Sequence, residues 1–314
     1  MSELVIRRPG WQSTIQDEGR RGYYREGLSE GGAMDVHAFY WANKLLDNDL
    51  SSACIEVLMG QFEAEFSAAG VISVTGADLS FRINGVECET WCTHRVEAGD
   101  AIAFERPRSG LRAYLGVVGG WQTPVCFGSR SVVMREQLGG LDGGALKKQD
   151  VLPYAYDRES VLRQVNPHYV PDYSQALTLK VVPGYQYREF SKADRQLFAQ
   201  TEYEVSDQVD RMGYKLRGPP ISAARRHLIS EGIAYGAIQV PQDGQPIVLL
   251  KDRQTIGGYP KIGCVASLDA ARLSQCVPGS KVAFEFASVA RVQSERKQFD
   301  RFFKTPLWHA GKKA

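Results

Sequence analysis

The sequence lacks the marks of several large functional classes. Of its 314 residues, 38 are Lys or Arg and 36 are Asp or Glu, a formal charge of +2. That leaves no excess of one sign to bind a phosphate backbone or an anionic membrane, and no nucleic-acid or membrane partner is expected. No run approaches the roughly 18 apolar residues of a membrane span. The segment from Met1 to Pro9 has no apolar stretch ending in small residues, so no secretory leader is expected. Histidine is scarce: five in all, scattered at positions 37, 94, 168, 227 and 309, which suits packing or surface roles better than a general base. The six cysteines, at 54, 88, 92, 126, 264 and 276, do not form a disulfide framework in so long a chain. Cys88 and Cys92 are four apart and no zinc spacing follows, so they read as free thiols of a cytoplasmic protein without a metal. Also missing are the G-x-x-x-x-G-K-[ST] phosphate loop, the dinucleotide G-x-G-x-x-G, the G-x-S-x-G elbow, H-E-x-x-H, and an Ala-Met-Lys-Met biotin attachment site.

Glycine, by contrast, is plentiful at 31 residues, which favours tight turns between strands over a helical bundle. Short runs alternate polar and apolar residues, as in 61–66 and 79–83, and Asn84-Gly85 after the second is a hairpin-turn dipeptide. Further strands are expected over 71–75, 101–105, 112–118, 177–182, 237–240, 247–250 and 281–286. Asp35 is placed to cap a helix running to about Leu46. Residues 188–199 and 268–275 also read as helices. The tail from 287 to 303 alternates charge like a surface helix, with fraying expected from Arg301 onward. The chain is therefore mainly β with a few helices.

The proline- and tyrosine-containing stretch from Asp150 to Gln175 is the natural boundary between two halves. The expected division is 1–160, 175–290 and a helical, then frayed, tail over 291–314. The halves echo each other in order. Asp17 to Tyr23 resembles Asp210 to Tyr214, Ser29-Glu30-Gly31 resembles Ser230-Glu231-Gly232, and Gly99 to Glu105 resembles Gly279 to Glu285. A duplicated β-barrel unit is the expectation.

Two segments carry candidate chemistry. In the first, Gln16, Asp17 and Arg20 offer bidentate polar contacts among glycines that let a backbone approach a ligand. The same residues would also serve an Arg–Asp pair pinning a long loop. In the second, the apolar strand 247–250 delivers Lys251, Asp252, Arg253, Gln254 and Thr255, then Gly257-Gly258. Lys supplies a positive point charge, while Asp, Gln and Thr orient a ligand. Strand alternation would put Lys251 and Arg253 on one side and Asp252 and Gln254 on the other.

These segments carry a resemblance. Pro9-Gly10, Thr14-Ile15-Gln16-Asp17-x-Gly19-Arg20, Gly31-Gly32-Ala33-Met34-Asp35, Gly119-Gly120, Gly128-Ser129-Arg130-Ser131, Asp210-Arg211-Met212-Gly213-Tyr214, Gly236-Ala237-Ile238-Gln239-Val240-Pro241 and Asp252-Arg253-Gln254-Thr255-x-Gly257-Gly258-Tyr259-Pro260 appear in order over about residues 4–290. Together they resemble the biotin-dependent carboxyltransferase family, also called allophanate hydrolase subunit 2 or KipI antagonist proteins. The chain departs from the family pattern at Gly144, Gln149, Lys215 and Ile256.

The resemblance implies two cyclophilin-like β-barrel halves. It also implies a function, the C subunit of an ATP-dependent 5-oxoprolinase that opens 5-oxoproline to glutamate, inactive alone. The implied partners are a KipI-like B subunit together with a LamB/YcsF-like A subunit, the substrate a small amide, and the cofactor ATP, held by or shared with a partner. The rival implications are a carboxyltransferase acting on urea or a related amide with a separate biotin carrier, and a regulatory module that binds a KipI-like partner. Under the first reading Lys251 and Arg211 are expected to stabilise developing charge, and Asp210 or Asp252 to act as base or orient the substrate. Gln16, Asp17, Arg20, Tyr214, Gln239, Gln254, Thr255, Gly257, Gly258 and Tyr259 are expected to contact it.

Overall fold

A computed structural model describes residues 2–157, 159–224 and 228–306; of the histidines, His227 and His309 lie outside the described residues. The alternating runs become strands, and strands dominate the element order. In the first half they form two antiparallel sheets. One runs Val151–Tyr154, Ser2–Pro9, Phe62–Phe66, Ala101–Phe104, Arg82–Ile83, Val86–Glu87. The other runs Gln12–Gln16, Cys54–Leu58, Ser109–Val117, Gly70–Asp78, Cys92–Val96. Their inner faces share one core, with Leu4, Phe62, Phe66 and Phe104 from the first sheet and Ile55, Val57, Ile72 and Leu115 from the second. Asn84 and Gly85, at φ 51° and 78°, make the two-residue turn between Arg82–Ile83 and Val86–Glu87. Positive φ at both central residues is what a type I′ hairpin requires.

Helix α1 (Val36–Leu45) covers the outer face of the second sheet. Asp35 caps it, its Oδ1 accepting from the backbone N–H groups of His37 and Ala38 at 3.1 and 3.2 Å. Strand Gly70–Asp78 is therefore buried on both faces. Its two hydroxyls on the helix side are satisfied: Ser73 donates to the Ala42 carbonyl and Thr75 to that of Ala38, at 2.8 and 2.7 Å.

In the second half, seven strands close into a barrel among the described residues, in the order Leu177–Pro183, Lys261–Val265, Ala237–Gln239, Ile247–Leu249, Gly213–Arg217, Tyr203–Val209, Lys281–Phe286. The last pairs in parallel with the first. A separate ribbon, Glu231–Gly232 with Ile256–Gly257, stands beside the barrel. Met34 of the first half is buried in the barrel's apolar core with Leu179, Tyr214 and Val248.

Three expectations are corrected. Residues 188–199 are not one helix: Tyr187–Glu189 is a short 3-10 turn, and Ser191 then caps helix α2 (Lys192–Gln200) through a bond to the Asp194 N–H. Residues 251–254 do not extend the strand, which ends at Leu249 and turns. Fraying does not begin at Arg301. After helix α3 (Ser267–Leu273), helix α4 (Val289–Lys304) runs on because Phe303 is buried and the Lys44 ammonium donates to the carbonyls of Phe303 and Thr305 at 2.8 and 2.7 Å. Among the described residues, no helix is long and apolar enough to cross a membrane, and no group of three or more His, Cys, Asp or Glu is arranged to hold a metal ion. The six cysteines are unpaired.

A candidate active site between the two halves

The hairpin turn at 210–213 and the turn after strand Ile247–Leu249 lie side by side. Leu250 N–H donates to the Met212 carbonyl and Asp252 N–H to that of Arg211, both at 2.8 Å. This backbone pairing presents the Arg211 side chain to Asp252, where Nε and Nη2 reach the two carboxylate oxygens at 2.9 and 3.0 Å. The same guanidinium crosses to the first half. Its Nη1 meets Glu56 at 2.5 Å and its Nη2 donates to the Gly32 carbonyl at 2.7 Å. Glu56 sits mid-strand, and its other oxygen accepts from Tyr114 Oη and the Met34 N–H at 2.7 and 2.9 Å. Arg112 lies 3.7 Å from Glu56 and donates to Tyr214 Oη at 2.8 Å.

All of these charges are buried. Burial alone would raise the Glu56 carboxyl, but Arg211 and then Arg112 outweigh it and hold the carboxyl below its ordinary range. Buried charges persist only when so compensated. The network clamps one half to the other.

Beside this clamp opens a cavity of about 250 Å³, lined from the first half by Glu18, Arg21, Glu30 and Tyr40, from the second by Tyr235, Lys251 and Ser267, and from α4 by Arg296. That is a little below the roughly 300–1,000 Å³ of drug-sized ligand sites, so it suits a small molecule. Lys251 is its distinctive group. Its ammonium lies 5.0 Å from the Tyr235 ring centroid and makes no hydrogen bond or ion pair among the described residues. Burial lowers its pKa; Glu30 opposes this, and Arg253, Arg211 and Arg21 reinforce it. An unpaired, partly desolvated ammonium in a small cavity is equipped to hold an anion or to stabilise charge developing on an oxygen.

Arg253 also lies near the Tyr235 ring, with Cζ 5.7 Å from its centroid. Arg253 is occupied: it donates to the carbonyls of Ile233 and Leu250, each at 3.2 Å, and lies 3.5 Å from Glu30.

The remaining expected site residues occupy several environments. Asp17 borders the cavity, but its carboxylate accepts from the hydroxyls of Ser129 and Ser131 at 2.6 and 2.5 Å and from the Arg130 N–H at 2.6 Å. Buried Gln16 bonds to Thr14 and the Val132 carbonyl, and buried Arg20 to the carbonyls of Cys126 and Ser131. These contacts hold the 126–132 loop. Asp210 is exposed and accepts from the N–H groups of Met212 and Gly213 within its own turn. Tyr214 is fully buried against Arg112 and the Ser274 carbonyl.

Gln239, Gln254 and Gly257 come together at the ribbon. A Cβ on Gly257 would lie 2.9 Å from Gln239 Nε2 and 2.6 Å from Ile233 Cδ1, and one on Gly258 2.7 Å from the Leu228 carbonyl, so the double glycine permits close packing. Gln239 Nε2 is buried without a hydrogen-bond partner among the described residues. Thr255 accepts from the Ile233 N–H through its carbonyl, and Tyr259 is exposed. The polar cavity residues not anticipated are Glu18, Arg21, Glu30, Tyr40, Tyr235, Ser267 and Arg296. Glu18, Arg21 and Glu30 fall inside the echoed segments; Arg296 had no sequence signal beyond one charge among many.

Comparison with known proteins bears on this arrangement. A family model described as carboxyltransferase domain, subdomain A and B, matches residues 26–286. The chain is 34% identical over 306 residues to the 5-oxoprolinase C subunit of Escherichia coli, covering 97% of this chain and 98% of that protein. It is 33% identical over 291 residues to the 5-oxoprolinase C subunit of Haemophilus influenzae, covering 91% and 92%. Among solved structures, the K. lactis urea amidolyase superposes with a TM-score of 0.86 at 25% identity. That match covers 96% of this chain, which spans 20% of the longer protein.

Proposed function

The chain belongs to the carboxyltransferase-domain family, and from that premise we propose that it is the C subunit of an ATP-dependent 5-oxoprolinase, working with A and B subunits to open 5-oxoproline to glutamate. The observation that carries this reading is the likeness to two proteins named as 5-oxoprolinase C subunits, which extends over nearly the whole of both partners. The cavity between the halves supports it chemically. A lactam carbonyl is a poor electrophile, and opening the ring breaks its C–N bond as the carbonyl carbon gains an oxygen. Negative charge grows on the carbonyl oxygen, where the Lys251 ammonium would stabilise it. Arg211 then acts at one remove, its ion pairs with Glu56 and Asp252 holding the turn that carries Lys251.

ATP supplies the driving force in this reading. Among the described residues no glycine-rich loop of the kind that cradles a triphosphate lines the cavity. We assign the nucleotide to the partner proteins or to the surface shared with them. Those partners are a KipI-like B subunit together with a LamB/YcsF-like A subunit, in the cytoplasm. The chain alone is then inactive.

The second reading, a carboxyltransferase acting on urea or a related amide with a separate biotin carrier, draws on the likeness to urea amidolyase. Reconstitution separates the two. The chain mixed with A and B subunits, ATP and 5-oxoproline releases glutamate, and omission of any component stops it. Robust hydrolysis by the chain alone, or carboxyl transfer to urea from a biotinylated carrier with no glutamate release, overturns the proposal.

A further inference from the structure

Helix α4 lies beyond the family match, which ends at residue 286, yet it contributes Arg296 to the cavity wall. The helix is firmly seated. Phe299 and Phe303 pack on Tyr40 at ring separations of 5.8 and 5.3 Å, and Phe302 packs on Trp41 at 5.7 Å. Lys44 ties down its last turn through the Phe303 and Thr305 carbonyls. Arg296 is oriented in turn. Its Nε donates to Asp300 at 2.9 Å, and its Cζ lies 5.3 Å from the Phe299 ring centroid. Its two Nη groups make no hydrogen bond among the described residues.

The charges around the cavity are unevenly spent. The Asp17 carboxylate is used by Ser129, Ser131 and the Arg130 N–H. Glu18 holds Tyr40 Oη and Arg21, and Glu30 holds Arg253. Among the described lining residues, the cationic groups left without a hydrogen-bond or ion-pair partner are the Lys251 ammonium and the Nη edge of Arg296. A planar guanidinium with two free N–H₂ groups matches a carboxylate, whereas an ammonium acts as a point charge.

We propose that Arg296 is a specificity-determining residue that takes the carboxylate of the substrate, leaving Lys251 for the lactam carbonyl. The cavity then selects a small lactam bearing a carboxylate over a neutral amide such as urea. This inference rests on the 5-oxoprolinase reading and assigns each end of that substrate to a cation.

The test compares 5-oxoproline with 2-pyrrolidinone, the same lactam without its carboxylate. In the reconstituted complex, Arg296→Gln raises KM for 5-oxoproline about 10- to 100-fold, the usual weight of one charge-assisted contact, with a smaller change in kcat. Arg296→Lys restores part of the loss, and handling of 2-pyrrolidinone is the same in all three proteins. The thermal midpoint stays put, since the side chain is partly exposed. Equal effects on both lactams, or an unchanged KM for 5-oxoproline, overturn the role of Arg296. Calorimetric titration of the full chain with each lactam separates this inference from the activity it rests on. A wild-type complex that releases no glutamate sinks the activity alone. A full chain that shows no Arg296-dependent preference for 5-oxoproline sinks the specificity role.

Discussion

Arg211 and Glu56 stand 155 positions apart in the sequence and 2.5 Å apart in the structure. The contact joins the barrel's hairpin turn to the middle of a strand in the other half. Glu56→Ala leaves Arg211 and Arg112 buried and short of a counter-charge. Removing one member of such a pair costs about 3–5 kcal/mol. Equilibrium denaturation with urea reads this directly; a loss under about 1 kcal/mol would show that the clamp is dispensable.

The same carboxylate makes stability depend on pH in a stated direction. Its folded pKa lies below the ordinary 4.5. The stabilisation is therefore fully present above pH 4.5 and drains away as pH falls through the lower folded value. Urea midpoints measured from about pH 6 to about pH 3 fall more steeply for the wild type than for Glu56→Gln, which has no proton to take up there.

Lys251→Ala lowers turnover of the reconstituted complex about 100-fold or more, as loss of one transition-state donor does. The thermal midpoint barely moves, because the ammonium has no ion pair to lose. The pH profile adds a second readout. The charged form is active and its pKa is depressed, so activity falls on the alkaline side below the ordinary lysine value of 10.5. Lys251→Arg, where it retains activity, pushes that limb to higher pH.

Asp17→Ala and Asp210→Ala separate a buried carboxylate from an exposed one. The first strands Ser129, Ser131 and the Arg130 N–H, and costs about 1–3 kcal/mol. The second removes an exposed turn contact and stays within about 1 kcal/mol. Differential scanning calorimetry ranks the two; the reverse order would refute the assignment of Asp17 to the 126–132 loop.

Lys44→Ala releases the last turn of α4. Hydrogen exchange at residues 301–304 quickens, while strands of the first half keep their protection. Unchanged exchange there would mean the aromatic contacts alone hold the helix.

Where one face of a strand is buried and the other wet, the sequence alternates, and strands such as Phe62–Phe66 and Lys281–Phe286 were legible for that reason. Cys54–Leu58 was not. It is buried along most of its length, and Glu56 interrupts its apolar run because the partner that neutralises it lies 155 positions away. The end of α4 was lost similarly: what holds Phe303 and Thr305 is Lys44, on a helix near the other end of the chain. Lys251 stood out as a lysine closing an apolar strand beside a double glycine. Arg296 is one charge in a charged helix until the fold sets it beside a cavity.

Each half begins with a strand that waits for a late one. Ser2–Pro9 pairs with Val151–Tyr154, and Leu177–Pro183 pairs in parallel with Lys281–Phe286. During synthesis, which runs at roughly 5–20 residues per second, the first half has all its strands once residue 154 clears the ribosome. The barrel has an unsealed seam until residue 286 follows. For that interval the nascent chain carries open strand edges, Met34 lacks the barrel core it fills, and Glu56 has Arg112 but not yet Arg211. Both halves are thus sealed by pairings more than a hundred positions apart, Ser2 with Tyr154 and Leu177 with Val282, and the barrel's seam is the later of the two to be available.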